Sequence, residues 1–253
     1  MSDRNQHLDA YRSLFGPRIT IAPNSIPSRL IVVLFTNRCG SMVFTEMLGS
    51  SPDILPRYEV FNGDVVSKKS HQNGLRDFPA YLEFLFGRPR VTYTAKIHLA
   101  QLEFLADAGL LAAFSEGVEL FHVRRADRIA QAVSHSIARQ TGRWTSFTAA
   151  VSTPDPTYNF AQIRDILASI RRETAHFATT ADRLNLIPRD VILEEFIADP
   201  APILRTTWER LGVRSGSWDT GRTRHQRQAT RRNREFAERF KEDAARSNLL
   251  LAG

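Results

Sequence analysis

The sequence predicts an α/β protein with a P-loop-like, three-layer fold, in which helices flank a central, mostly parallel sheet. Short apolar runs rich in β-branched residues alternate with longer stretches of helical periodicity, which is the pattern of strand–helix units. The first run, residues 30–35, is apolar without interruption. Such a run is typical of a strand covered on both faces, as in a parallel sheet. With 253 residues, of which 42% are hydrophobic, the chain can bury a sizeable core.

The order of elements follows from the same periodicities. Residues 1–29 predict a short helix and a proline-punctuated loop, and residues 30–253 a single domain. Strands are predicted at residues 30–35, 91–97, 119–123 and 190–193. Helices are predicted at residues 42–48, 99–111, 129–140, 160–186, 201–211 and 235–246. Two further stretches, residues 60–80 and 145–158, are predicted to be surface loops.

The composition excludes several classes of protein. The net charge is +7, and 30 of the 34 basic residues are arginines, whose planar guanidinium suits phosphate and sulfate, although codon usage explains this bias equally well. The single cysteine, Cys39, excludes an intramolecular disulfide framework and a cysteine-rich zinc site, and fits a reducing compartment. No stretch reaches the roughly 18 apolar residues of a membrane helix, and the N-terminus has no apolar signal region. We therefore expect a cytoplasmic protein.

A first candidate anion site lies in residues 36–42, Thr-Asn-Arg-Cys-Gly-Ser-Met, between the first strand and its helix. A helix N-terminus offers unpaired N–H groups and partial positive charge, and a turn with glycine lets these amides approach an oxyanion. Arg38 would add a full charge. The loop is not a Walker A motif, because no lysine follows Gly40, and this argues against an ATP- or GTP-hydrolysing enzyme.

A second candidate begins where the strand at 119–123 ends. Arg124 and Arg125 follow this strand, and Ser134 lies on the next helix. Arginine at a strand end and serine on the following helix can converge on one phosphate group.

These segments resemble the sulfotransferases of the Stf0-type (trehalose 2-sulfotransferase-like) bacterial branch. Residues 37–41 are similar to the 5′-phosphosulfate loop of that family. Residues 124–134, together with 140–144, resemble its 3′-phosphate element. Residues 194–200 resemble the sulfotransferase segment that ends in Asp-Pro, and residues 227–240 the C-terminal part. The resemblance covers about residues 30–241.

The resemblance implies that the donor is 3′-phosphoadenosine 5′-phosphosulfate (PAPS), with no metal required. It places the donor on Arg38, Cys39, Gly40, Ser41 and Met42 for the 5′ side, on Arg125 and Ser134 for the 3′-phosphate, and on Arg227 for the far side of the nucleotide. Arg124 and Arg128 remain rivals of Arg125. Met42 stands where the family has serine or threonine, which removes one hydroxyl contact.

The resemblance also implies a carbohydrate or glycolipid acceptor, a general base and a homodimer. Glu59 matches the family's base, with Asp53 and Glu46 as competitors. Lys96, His98 and Trp144 are expected to line the acceptor pocket, and His98 is an alternative base. The surface loops at residues 60–80 and 145–158 are expected to build the rest of that pocket.

Two other functions stay open at this point. A family member could bind nucleotide with another acceptor or without catalysis. Alternatively, the arginines of the C-terminal stretch could bind a polyanion, although no motif for specific nucleic-acid recognition accompanies them: Arg222, Arg224, Arg227, Arg231, Arg232 and Arg234.

Overall fold

A computed structural model describes residues 3–144, 155–218 and 230–247 of the chain. Its centre is a sheet of five strands in the order β2-β3-β1-β4-β5. All neighbouring strands pair in parallel. The strands are β1 (Arg29–Phe35), β2 (Ile54–Pro56), β3 (Thr92–Ile97), β4 (Val118–Arg124) and β5 (Arg189–Ile192). The predicted α/β class with a mostly parallel sheet is confirmed, and in the described residues the sheet is parallel throughout.

One helix of the described residues precedes the first strand, and the others connect the strands or follow the last one. They are α1 (Asp3–Phe15), α2 (Ser41–Leu48), α3 (Gly63–Asn73), α4 (Phe78–Phe86), α5 (Leu99–Asp107), α6 (Leu110–Ala113), α7 (Arg128–Thr141), α8 (Phe160–Arg183), α9 (Leu193–Ala198), α10 (Ala201–Leu211) and α11 (Arg231–Arg246).

Strand β1 is apolar from Leu30 to Phe35 because helices cover both of its faces. Leu30, Val32 and Leu34 belong to a core shared with α1, α3, α4, α5 and α6. Ile31, Val33 and Phe35 face the opposite core, which α2, α9 and α10 close. Each buried aliphatic side chain contributes roughly 1.5–3 kcal/mol to folding. The sheet is therefore the rigid middle layer of the molecule.

A third cluster lies beside the sheet and fixes helix α7. Ala132 and Val133 of α7 pack against Ile163 and Ile166 of α8 and against Phe240 of α11. This packing holds the helix that carries Ser134.

The structure corrects the prediction of a loop at residues 60–80. Helix α3 occupies Gly63–Asn73, and α4 begins at Phe78. Helix α3 is mostly polar, so its periodicity is weak, but its ends are well marked. The Asn62 side chain accepts a hydrogen bond from the Asp64 amide, and Gly74 ends the helix with a φ of 64°. The residues expected to form an acceptor loop are thus largely helical.

Two other elements differ from the prediction. Strand β2 was not predicted, since it has only three residues and ends in proline. The helix predicted at residues 99–111 is divided into α5 and α6, because Gly109 adopts a φ of 97° and interrupts it.

Candidate functional site

The candidate site lies at the carboxyl edge of the sheet. Because the strands are parallel, the segments that follow β1, β2, β3 and β4 all emerge at this edge. They are the loop at 36–40, the segment at 57–59, His98 and residues 125–127. Ligands of open α/β sheets bind at this end of the strands.

The loop at residues 36–40, here called the phosphate loop, has an unusual backbone. Arg38 has a φ of 66° and Gly40 a φ of 87°, both in the left-handed region. A Cβ atom on Gly40 would come within 2.4 Å of the Leu193 side chain. Glycine therefore allows the loop to lie directly against α9. Helix α2 begins at Ser41, so its first-turn amides lie at the end of this loop, as an oxyanion site requires.

Gln131 ties the phosphate loop to α7. Its Nε2 donates hydrogen bonds to Thr36 Oγ1 and to the Asn37 carbonyl oxygen, each at 2.8 Å. The side chain is only 1% exposed. The two predicted anion-binding elements are therefore joined by a buried amide. Gln131 lies within the motif recognised in the sequence, yet only the structure shows this contact.

Arg38 lies next to Ser134 and close to Arg125. Arg38 Nε donates to Ser134 Oγ at 3.0 Å, and Nη1 donates to the Trp144 carbonyl oxygen. Burial, together with the nearby positive charge of Arg125, lowers the pKa of Arg38. Two guanidinium groups thus approach each other, and a bound anion would relieve their repulsion.

Glu194 holds Arg125 in this position. Its Oε1 accepts a hydrogen bond from Arg125 Nε at 3.0 Å, and its Oε2 accepts one from the Ala126 amide at 2.9 Å. Burial raises the pKa of Glu194, but these two hydrogen bonds, a further one from its own backbone amide and the charge of Arg125 together leave the pKa lowered. The sequence placed Glu194 in a family-like segment but did not indicate this role.

The rivals of Arg125 have other surroundings. Arg124 pairs with Asp190 on β5, with Nε and Oδ2 3.2 Å apart. Arg128, the first residue of α7, forms no ion pair with the described residues. Of the three, Arg125 is the one whose charge acts on the pKa of Arg38.

Glu59 and Lys96 form an ion pair beside the phosphate loop. Lys96 Nζ lies 2.6 Å from Glu59 Oε1 and 4.2 Å from the centroid of the Phe35 ring. Lys96 is 3% exposed, whereas the Glu59 side chain is 42% exposed. The pair is positioned by the backbone, because the Lys96 amide donates to the Tyr58 carbonyl oxygen at 2.7 Å.

Lys96 also lies close enough to the phosphate loop to affect Cys39. Burial raises the pKa of the Cys39 thiol, and the Ser41 amide and the charge of Lys96 oppose this only in part. Cys39 is fully buried, so it is a small core residue and not an exposed nucleophile.

His98 and Trp144, the other predicted acceptor residues, lie near this edge. His98 precedes α5, and its ring centroid is 4.0 Å from that of Phe35. Trp144 packs edge-on against His135, and 42% of its surface is exposed.

The two competing carboxylates are placed differently from Glu59. Asp53 immediately precedes β2, so it lies at the opposite, amino edge of the sheet. There, hydrogen bonds from Arg214 lower its pKa to about 2. Glu46 lies in the second turn of α2. Of these three carboxylates, Glu59 is the one that follows a strand at the carboxyl edge.

Part of the predicted site lies outside the described residues. This applies to Arg227, to Arg222 and Arg224 of the C-terminal cluster, and to residues 145–154 of the predicted acceptor loop. Two other members of that cluster have carboxylate partners, since Arg231 pairs with Glu235 and Arg232 with Asp155. Met42 follows the phosphate loop in the first turn of α2.

Two further findings concern the described residues as a whole. No helix among them combines the length and apolar character needed to span a bilayer. In the same residues, no group of three or more histidine, cysteine, aspartate or glutamate side chains is arranged to hold a metal ion.

Comparison with known proteins gives one family. The sequence profile of the family described as Stf0 sulphotransferase matches residues 98–243, which is 146 of the 253 residues. The match contains Arg125, Ser134 and Glu194, whereas the phosphate loop and Glu59 precede it. No curated protein sequence matches the chain. Because the profile spans more than half of the chain, the protein belongs to the Stf0 sulphotransferase family.

Proposed function

We propose that this protein transfers the sulfuryl group of PAPS to a hydroxyl group of a carbohydrate or glycolipid. The observation that carries the proposal is the convergence of Arg38, Arg125 and Ser134 beside the N-terminus of α2. This site has the charge and the hydrogen-bond donors for a nucleotide with two separate phosphate groups.

The residues divide between the two ends of the donor. Backbone amides of residues 39–42 would bind the 5′-phosphate. Arg38 would contact the oxygens around the transferred group, and Arg125 with Ser134 would bind the 3′-phosphate. Glu194 keeps the Arg125 guanidinium in place through its 3.0 Å hydrogen bond. Arg227 remains a proposed contact for the far side of the nucleotide.

The reaction is an in-line displacement at sulfur. The acceptor oxygen forms a bond to sulfur while the bond from sulfur to the 5′-phosphate oxygen breaks, and the acceptor proton passes to Glu59. The products are a sulfate ester and 3′,5′-adenosine diphosphate (PAP). Negative charge grows on the leaving phosphate, where Arg38 and the N-terminus of α2 would stabilise it.

Lys96 would position the base. Its ammonium group is held between the Phe35 ring and the Glu59 carboxylate, and 2.6 Å separates Nζ from Oε1. This contact orients the carboxylate towards an acceptor that rests on His98 and the exposed face of Trp144. Aromatic faces suit the C–H faces of sugars.

The test combines a transfer assay with calorimetry. Labelled PAPS is incubated with a panel of disaccharides and glycolipids, and PAP binding is measured separately. Glu59→Gln should lower kcat by a factor of about 10²–10⁴ and leave PAP affinity unchanged. Glu116→Gln, on an exposed turn, is the matched control and should behave like the parent protein.

A second comparison tests the 3′-phosphate contact. Arg125→Gln should weaken binding of PAP but not of adenosine 5′-monophosphate, which lacks that phosphate. Absence of both transfer and PAP binding would refute the proposal. PAP binding without transfer to any acceptor would identify a nucleotide-binding member without catalysis.

The family resemblance also leads us to propose a homodimer. Sedimentation equilibrium at micromolar concentration measures this directly, and a mass near 28.7 kDa would show a monomer.

A further inference from the structure

A pocket of about 430 Å³ opens at the β2 edge of the sheet, against α3, α4 and β3. No residue of the phosphate loop, of α7 or of the Glu59–Lys96 pair lines it. Its wall carries three cationic side chains and one carboxylate, with two aromatic rings: Arg57, Lys69, Arg88, Glu83, Phe84 and Tyr93. We call it the basic edge pocket. Its volume lies within the range of small-molecule sites.

Arg57 is held in one orientation at this pocket. Its Nε donates to the Leu85 carbonyl oxygen at 3.0 Å, and its Cζ lies 5.2 Å from the centroid of the Tyr93 ring. Its terminal amino groups have no hydrogen-bond partner among the residues that the structure describes. A guanidinium fixed in this way can bind a tetrahedral oxyanion through both terminal nitrogens without losing further side-chain freedom.

The residues that line the pocket do not balance its positive charge. Neither Lys69 nor Arg88 forms an ion pair with any residue in the described ranges. Glu83 supplies one carboxylate against three cations. The lining therefore carries a net charge of about +2 and attracts an anion.

The other residues that line the pocket indicate the chemistry of the part of the ligand that is not anionic. The Phe84 side chain is 47% exposed although it is fully apolar, so its ring can cover an apolar or C–H face. Glu83 can accept hydrogen bonds from hydroxyl groups next to that face. We propose that the basic edge pocket binds the phosphate or sulfate ester of a small hydroxylated molecule, with the ester group on Arg57.

Calorimetry with three probes tests this proposal independently of sulfuryl transfer. The probes are glucose 6-phosphate, glucose 6-sulfate and glucose. At least one ester should bind with one-to-one stoichiometry, and glucose should bind at least tenfold more weakly. The tighter ester identifies whether the natural ligand carries phosphate or sulfate.

Variants then place the bound ester in the pocket. Arg57→Gln should weaken ester binding at least tenfold. Arg76→Gln removes the same charge from an exposed arginine outside the pocket and should change affinity less than twofold. Arg125→Gln, in the proposed donor site, should also leave ester binding unchanged. Arg88→Gln removes no side-chain hydrogen bond or ion pair within the described residues. It should weaken ester binding at least threefold, and it replaces Arg57→Gln in the test if that variant does not fold.

Three results would overturn the proposal. The first is that neither ester binds. The second is that Arg76→Gln weakens binding as much as Arg57→Gln, which would indicate only general attraction of anions. The third is that Arg125→Gln abolishes binding, which would place the ester at the donor site.

Discussion

Replacing Gly40 with alanine tests whether the close contact with α9 sets the shape of the phosphate loop. A residue other than glycine at a φ of 87° costs roughly 1–2 kcal/mol. The new Cβ would lie 2.4 and 2.5 Å from the two terminal methyl carbons of Leu193. Overpacking of this kind costs about 1–2 kcal/mol, at the lower end of its range because these methyl groups can shift. Gly40→Ala should therefore lower the free energy of unfolding by about 2–4 kcal/mol.

Urea denaturation followed by circular dichroism measures this loss. Gly74→Ala is the matched control, because Gly74 has a φ of 64° but no atom lies within 4 Å of the position that its Cβ would take. Gly74→Ala should therefore have only the cost of placing alanine in the left-handed backbone conformation. Combining Gly40→Ala with Leu193→Ala should recover about 1–2 kcal/mol relative to the sum of the single changes. Equal destabilisation by Gly40→Ala and Gly74→Ala, or additive effects in the double variant, would refute the reasoning.

Three further predictions concern buried polar groups. Gln131→Ala removes the 2.8 Å hydrogen bonds to Thr36 Oγ1 and to the Asn37 carbonyl oxygen. The free energy of unfolding should therefore fall by about 2–4 kcal/mol. The affinity for PAP, measured by calorimetry, should also fall. Lys96→Met should lower kcat at least tenfold but change the Tm little, because the half-exposed Glu59 can be solvated by water. An unchanged kcat would remove Lys96 from the proposed mechanism. Burial lowers the pKa of His122 below its usual 6.5, although Asp190 opposes this. The folded protein therefore binds this proton less readily than the unfolded chain, and stability is lost as the pH falls below about 6.5. His122→Gln should reduce the loss between pH 7.5 and 5.5, by at most about 1.4 kcal/mol per pH unit, and parallel stability curves would contradict this.

The central strands could be predicted because consecutive apolar residues in the sequence indicate that these strands are buried. The apolar run at residues 30–35 needs no information from the rest of the chain to be recognised as a covered strand. Strand β2 could not be found in this way, since its three residues become a strand only by pairing with Thr92, Tyr93 and Thr94 of β3. Helix α3 was missed for a related reason, because its capping residues define it more clearly than its apolar pattern does.

The candidate site shows the same difference between features that local sequence indicates and features that depend on long-range contacts. Arg38 and Ser134 could be predicted separately, because each follows a strand of one parallel sheet. Their hydrogen bond depends on the pairing of β1 with β4, which only the structure shows. The bond between Glu59 and Lys96 joins residues 37 positions apart. It depends on the β2–β3 register and on the backbone turn at Tyr58, where φ is 52°. Neither is visible in the sequence, although both partners were predicted as separate site residues.

The buried amide of Gln131 has a consequence for the kinetics of nucleotide binding. Because it joins the phosphate loop to α7, we expect the two halves of the proposed donor site to keep a fixed separation. A nucleotide would meet its two anion contacts already at their final separation, and little ordering of the loop would accompany binding. Association should then be governed by diffusion and electrostatic steering, with salt concentration and not loop closure setting its rate.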